Sequence, residues 1–175
     1  MDLVDLDSGT RLLMVAEIES DIRNGTLYYS KHFAATGRET YPRLLTEAAT
    51  CFDDDWLVAQ LDSPGMFLLD YVKSTPSCGT TVAKVPWTAS LTFAEGEFNR
   101  FYLRGLCLRA TDEGKSIEAY RAKAVAVERT ESTMLLGTRF DPMGLLADLR
   151  AHPGVETALG LPVGPNSGLS GKLVS

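Results

Sequence analysis

The sequence predicts an α+β fold: a small mixed or antiparallel sheet packed with several helices and followed by an extended C-terminal arm. Three observations carry this. Apolar residues recur at helical spacing over 10–23, 38–52 and 93–110. Runs of strand length fall between and after them, at 66–72, 81–87 and 116–127. The last stretch, 160–175, is rich in Gly, Pro and Ser and carries only sparse Leu and Val. The 175 residues fit one domain over 1–160 with an arm over 161–175.

In chain order, Leu13, Val15, Ala16, Ile18 and Ile22 lie near helical spacing, and Asn24-Gly25 supplies a stop because glycine adopts the left-handed conformation that ends helices. Thr26–Ser30 is short and aromatic, the composition of a strand. Leu44, Leu45, Ala48 and Ala49 mark the inner face of a second helix, with Pro42 placed in its first turn. Asp53–Asp55 caps a third helix over 56–61, which Ser63-Pro64-Gly65 breaks. Met66–Val72 is a continuous apolar run of strand length. Residues 74–81 are a loop by composition, and 81–87 form a weak strand stopped by Pro86.

Residues 93–110 predict the organising helix. Ala94, Phe98, Phe101, Tyr102, Gly105 and Leu108 share one face, and Glu97, Arg100 and Arg104 share another, where they pair or grip a partner. Gly105 costs about 1 kcal/mol relative to alanine in a helix interior, so its expected use is close approach of a neighbouring backbone. Ile117, Val125 and Val127 share a parity, which predicts a strand over 116–127. Asp141-Pro142 starts a last helix, cap followed by an N1 proline, that runs to about Arg150.

Composition bounds the function. No apolar run approaches the roughly 18 residues of a membrane span, and the acidic start MDLVDLDSGTR lacks the basic and apolar regions of a signal peptide. Cys51, Cys78 and Cys107 are scattered and form no C-x-x-C pair, so reduced thiols packed as small hydrophobes are expected. The expected location is the cytoplasm, or a virion if the chain is phage-encoded. Residues 1–62 carry a net charge of −7 and the remainder +1. That asymmetry argues against wrapping nucleic acid and suits head-to-tail association.

No motif specifies a reaction. Ser77-Cys78-Gly79-Thr80-Thr81 with Lys84 departs from the G-x-x-x-x-G-K-[ST] phosphate cradle. Glu95-Gly96-Glu97 has the E-x-E form of ADP-ribosyltransferases, yet it opens a helix, where acids are favoured anyway. Glu118 and Lys123 miss the E-x-K spacing of metal-dependent nucleases. His32 and His152 have no metal-spaced partner, and Asp53-Asp54-Asp55 suits capping better than a cation. No cofactor or metal is expected.

The runs AEGEFNRFYLRGLC, EAYRAK and ALGLPVGPNSGL resemble a group of short bacterial and tailed-phage proteins with no assigned activity, over roughly residues 80–173. The resemblance implies a virion or head-assembly component and transfers no functional residue.

The expected function is therefore a non-enzymatic structural or adaptor subunit of a multi-protein assembly, in the head, neck or tail of a tailed phage. Its partners would be other protein subunits, as a homo-oligomer or hetero-assembly, with nucleic acid less favoured and no membrane. Partner binding falls to Arg100 and Arg104 and to Leu169, Lys172, Leu173 and Val174 in the arm, which has the apolar spacing to add as a strand to a neighbour's sheet or to its own. One alternative is a small enzyme or binding module that acts on a nucleotide or nucleic acid through the basic region 99–129, which also contains Arg109, Lys115, Arg121, Lys123 and Arg129. Another is a host-interaction protein that inhibits a bacterial defence system through its acidic surface.

Overall fold

The computed structural model describes residues 1–74, 79–126, 128–154, 157–162 and 167–175. Among them are six helices and two small antiparallel sheets, the α+β class expected.

Ser8–Asn24 forms the first helix (α1), opened by the Asp7 carboxylate, which accepts from the Gly9 and Thr10 backbone N–H groups, and closed by Gly25 at φ 67°. Its inner face is Thr10, Met14, Glu17 and Ile18, rotated from the expected phase, and Ile22 is exposed. The rotation has a cause: an acid, Glu17, occupies the buried stripe because two arginines meet it there. Ala35–Cys51 (α2) buries Leu44, Leu45, Ala48 and Ala49 as expected, but Pro42 lies in its interior rather than its first turn. Asp54–Leu61 (α3) is capped by Asp53, whose carboxylate accepts from Trp56 N–H at 2.9 Å. Thr26–Ser30 forms no strand.

Asp70–Ser74 (β1) and Thr80–Lys84 (β2) form an antiparallel hairpin with Val72 opposite Val82. The strand expected over 66–72 is displaced to 70–74. Phe67 makes only a single bridge with Phe33, and the strand proper is solvated, with Val72 69% exposed. A two-stranded hairpin has one layer, so an apolar run within it remains on the surface unless another element covers it.

Ala89–Glu113 (α4) runs through the middle of the molecule and is buried on nearly every side from Ala94 to Cys107. It packs on α1, on α3 and on Pro142–Ala151 (α6), whose Asp141 cap is the one predicted. Gly105 behaves as expected: a Cβ there would lie 2.9 Å from the Thr10 carbonyl oxygen and the Met14 nitrogen of α1. Glu97, Arg100 and Arg104 do not form an outer rim. All three are buried.

Ser116–Arg121 (β3) is the middle strand of the second sheet, between Arg139–Phe140 (β4) and Leu169–Val174 (β5). Thr130–Met134 (α5) links β3 to β4. Val125 falls beyond the end of β3, and Val127 lies outside the described residues.

The C-terminal segment corrects the extended-arm expectation. Residues 169–174 are β5, paired in register with β3 from Ser116↔Val174 to Arg121↔Leu169 in the same chain. Its core-facing positions are not all apolar, which hides the strand. Ser170 donates to Asn99 Oδ1 at 2.6 Å, and a Cβ on Gly171 would meet Ile117 at 2.6 Å and Leu103 at 2.9 Å. Residues 163–166 of the expected arm lie outside the described residues. Among the described residues no helix is long and apolar enough to cross a membrane.

Candidate functional site

The first half of α4 is the wall of a cavity of about 380 Å³, within the size range that holds small organic ligands. Thr92, Phe93, Gly96, Asn99 and Arg100 follow steps of three and four along the helix, so one stripe faces the cavity. The opposite wall combines Tyr28 and His32 after α1, Lys123 and Val125 after β3, and Ser167–Leu169 at the start of β5. Gly154 lets the chain pass beneath the Tyr28 ring, where a Cβ would lie 2.3 Å from the ring carbons.

Gly96 has a different role. A Cβ built on it meets nothing within 4 Å, so its missing side chain leaves space rather than permitting a backbone contact. An interior helical glycine costs about 1 kcal/mol against alanine, and packing at this position does not account for that cost.

Glu97 lines this space with its side chain only 6% exposed. Arg100 Nε approaches Oε1 at 3.4 Å, and Oε2 accepts no hydrogen bond from a described residue. Burial raises the Glu97 pKa to about 7, outweighing the pull of Arg100 and Arg104. Arg100 also donates to the His152 carbonyl at 2.7 Å. Asn99 donates to the Leu169 carbonyl at 2.9 Å and accepts from Ser170, so its amide ties the cavity wall to β5. The Tyr28 hydroxyl makes no hydrogen bond to a described residue, and its pKa is raised by burial and by Glu97. Burial and Lys31 lower the His32 pKa, which favours the uncharged ring. A carboxylic acid poised between its two protonation states, beside a phenol that no described residue hydrogen-bonds, can exchange a proton with a bound molecule near neutral pH.

At one margin Lys123 pairs with Glu95. Carboxylate oxygens of Glu95, Asp54 and Asp55 lie within 4.8 Å of one another. This group resembles a cation site, and it already holds ammonium groups: Lys123 on Glu95, and the Met1 amine on both Asp54 oxygens at 2.8 and 2.9 Å. Burial raises the Asp54 pKa despite that amine.

The residues expected to bind partners all make contacts within the chain. Arg104 is 3% exposed and bonds Glu17 at 2.8 Å and Asp21 at 2.6 Å. Burial pushes the Glu17 pKa upward, but the hydrogen bonds and charges of Arg150 and Arg104 outweigh it and hold it below the ordinary range. Leu169 is in the core, Lys172 reaches Glu118 at 3.0 Å, the Leu173 N–H donates to Asp5 at 2.8 Å, and Val174 pairs with Ser116.

The basic region is met by acids. Arg109 pairs with Asp7 and Glu113, Lys115 with Glu113, Arg121 with Glu128 and Lys123 with Glu95. Ser77 and Cys78 of the cradle-like run lie outside the described residues, and Thr80, Thr81 and Lys84 are in β2. Cys107 is buried as expected, whereas Cys51 is exposed.

Sequence reasoning did not bring Tyr28, Gly96, Asn99 and Lys123 together. The one signal available was Gly96: a second glycine in a helix with no neighbouring break. No protein-family model, no curated protein and no solved structure matches this chain.

Proposed function

We propose that this protein binds a small organic molecule in the cavity beside α4, with Glu97 as the group that exchanges a proton with it. The observation that carries this is the cavity itself, walled by a helix that keeps a glycine where side-chain space is open. Polar groups around it are held in place, as ligand sites require: Asn99 by β5, Arg100 by Glu97 and the His152 carbonyl.

The test uses a fragment panel and ligand-observed NMR on the full chain. Wild type should bind a subset of fragments, and Gly96→Leu, which projects into the space from a position where a Cβ meets nothing within 4 Å, should lose them while it keeps its thermal midpoint. Binding that Gly96→Leu leaves intact, or no fragment binding at all, overturns the proposal.

A second reading keeps the assembly role and moves its contact from the arm, whose last residues are already paired with β3, to the β1–β2 hairpin. Val72 and Val82 are solvated there, Trp87 beyond it is 89% exposed, and β1 carries no partner on its outer edge among the described residues. The occupant proposed is a second copy. Antiparallel pairing of two β1 strands about Val72 sets Asp70 opposite Ser74 and Tyr71 opposite Lys73, with no like charges opposed. Light scattering across size-exclusion fractions should then show a dimer that Val72→Lys dissociates. A wild-type monomer at every concentration removes this reading.

A further inference from the structure

We infer that the cavity takes a small amine with an apolar or aromatic body, bound as its ammonium ion against Glu97 and the rings of Tyr28 and Phe93. This rests on the cavity being a ligand site and adds the ligand's class.

The argument turns on which polar groups are already committed. Lys123, at the rim, donates to Glu95, and Arg100 donates to Glu97 and to the His152 carbonyl. A ligand carboxylate or phosphate must compete with those partners for either cation. Among the described residues, groups without a hydrogen-bond partner include Glu97 Oε2, the Tyr28 hydroxyl and the buried Nδ1 of the uncharged His32, each able to accept from an N–H donor. Tyr28 and Phe93 line the same space with ring centroids 6.0 Å apart, tilted by 33°. Aromatic faces attract ammonium ions and pack well on an apolar body. The margin already shows the preference, because the neighbouring carboxylates hold the Met1 and Lys123 ammonium groups.

The charged and titratable groups around Glu97 set how binding follows pH. They are Arg100 and Arg104 on α4, Asp21 on α1, Tyr28 after α1 and Tyr41 on α2, with Lys123 and His32 on the cavity's other wall. None of them keeps Glu97 fully ionised at neutral pH, since its pKa is raised to about 7 by burial. An ammonium ligand prefers the ionised carboxylate, so binding displaces the Glu97 proton and tightens as pH rises through neutrality. Between pH 6 and 8 the binding-competent fraction changes by roughly tenfold, and apparent affinity changes with it.

The experiment titrates the full chain with 2-phenylethylamine, 2-phenylethanol and phenylacetate by saturation-transfer NMR at pH 6 and 8. These probes share a ring and differ in charge, and the amine stays protonated at both pH values. The amine should bind at least tenfold more tightly than either isostere at pH 8 and should weaken by roughly tenfold at pH 6. Glu97→Gln should bring the amine to the level of the alcohol. The wild-type pH dependence tests the same point if that variant does not fold. Tightest binding by phenylacetate, or amine binding indifferent to pH and to Glu97→Gln, overturns the inference. If such binding is still lost in Gly96→Leu, the cavity stands as a ligand site and only the ligand class falls. Absence of amine binding also overturns the inference, and the fragment panel then decides the cavity separately.

Discussion

Arg104 and Gly105, in the second half of α4, meet α1 directly: the guanidinium spans Glu17 and Asp21, and the glycine lets the Thr10 carbonyl approach. Arg100 and Gly96, in the first half, border the cavity, one fixed by Glu97 and the His152 carbonyl, the other facing open space. The same residue pair therefore serves close packing in one half and an opening in the other. What separates them is the neighbouring element. Helix α1 lies against α4 at Gly105, whereas the face that carries Gly96 meets loops that leave the cavity open.

Strand β5 ties the halves together, since Asn99 donates to the Leu169 carbonyl and the Tyr102 hydroxyl to that of Gly171. Removing residues 169–175 should therefore do the most damage. It uncovers β3, takes Leu169 from the core and leaves the Asn99 amide and the Tyr102 hydroxyl proton without their β5 partners, each costing about 1–3 kcal/mol. A domain holds only about 5–15 kcal/mol in total. The truncated chain should lose its cooperative urea transition. A truncated chain with the wild-type midpoint would mean that β5 is dispensable, as an arm would be.

Next is Arg104→Ala, which leaves Asp21 without its guanidinium partner and Glu17 with Arg150 alone, and should cost about 3–5 kcal/mol in urea unfolding. Arg100→Ala should cost less. Its acid, Glu97, titrates near neutrality and can take up a proton instead of remaining a buried charge. Equal losses would erase the distinction between the two halves.

Glu97 also imposes a pH signature. Its pKa of about 7 in the fold lies above the ordinary 4.5, so the native state binds more protons than the unfolded chain between those values. Stability supplied by that proton is complete below about pH 4.5 and declines as pH rises through 7, by up to roughly 3 kcal/mol. Glu97→Gln keeps the neutral shape and should flatten this decline. Urea midpoints from pH 4.5 to 8 for both proteins would show it, and parallel curves would refute it.

The sequence made the helices legible where caps and stops are local. Asp53, Asp141 and Gly25 each act through bonds or dihedrals within their own turn. Gly105 was legible because its cost had one simple explanation. The failures share a cause: a partner distant in sequence. Glu17 shifts the phase of α1 because Arg104 is 87 residues away, and Ser170 can sit in a strand core because Asn99 is 71 residues away. The cavity was illegible for the same reason, since its walls come from segments scattered between Met1 and Leu169.

The smallest expected effect discriminates most clearly. Gly105→Ala places a methyl 2.9 Å from α1 backbone atoms, which cannot yield as a flexible side chain would, and should cost about 1–3 kcal/mol despite alanine's better helix propensity. Gly96→Ala meets nothing within 4 Å, so propensity acts alone and should stabilise by up to about 1 kcal/mol. Thermal midpoints of the two variants should shift in opposite directions. A gain at Gly96 would also mean that the space beside it is open, as a binding site there requires. A loss at Gly96 would place an unseen neighbour in that space and close the cavity as a site.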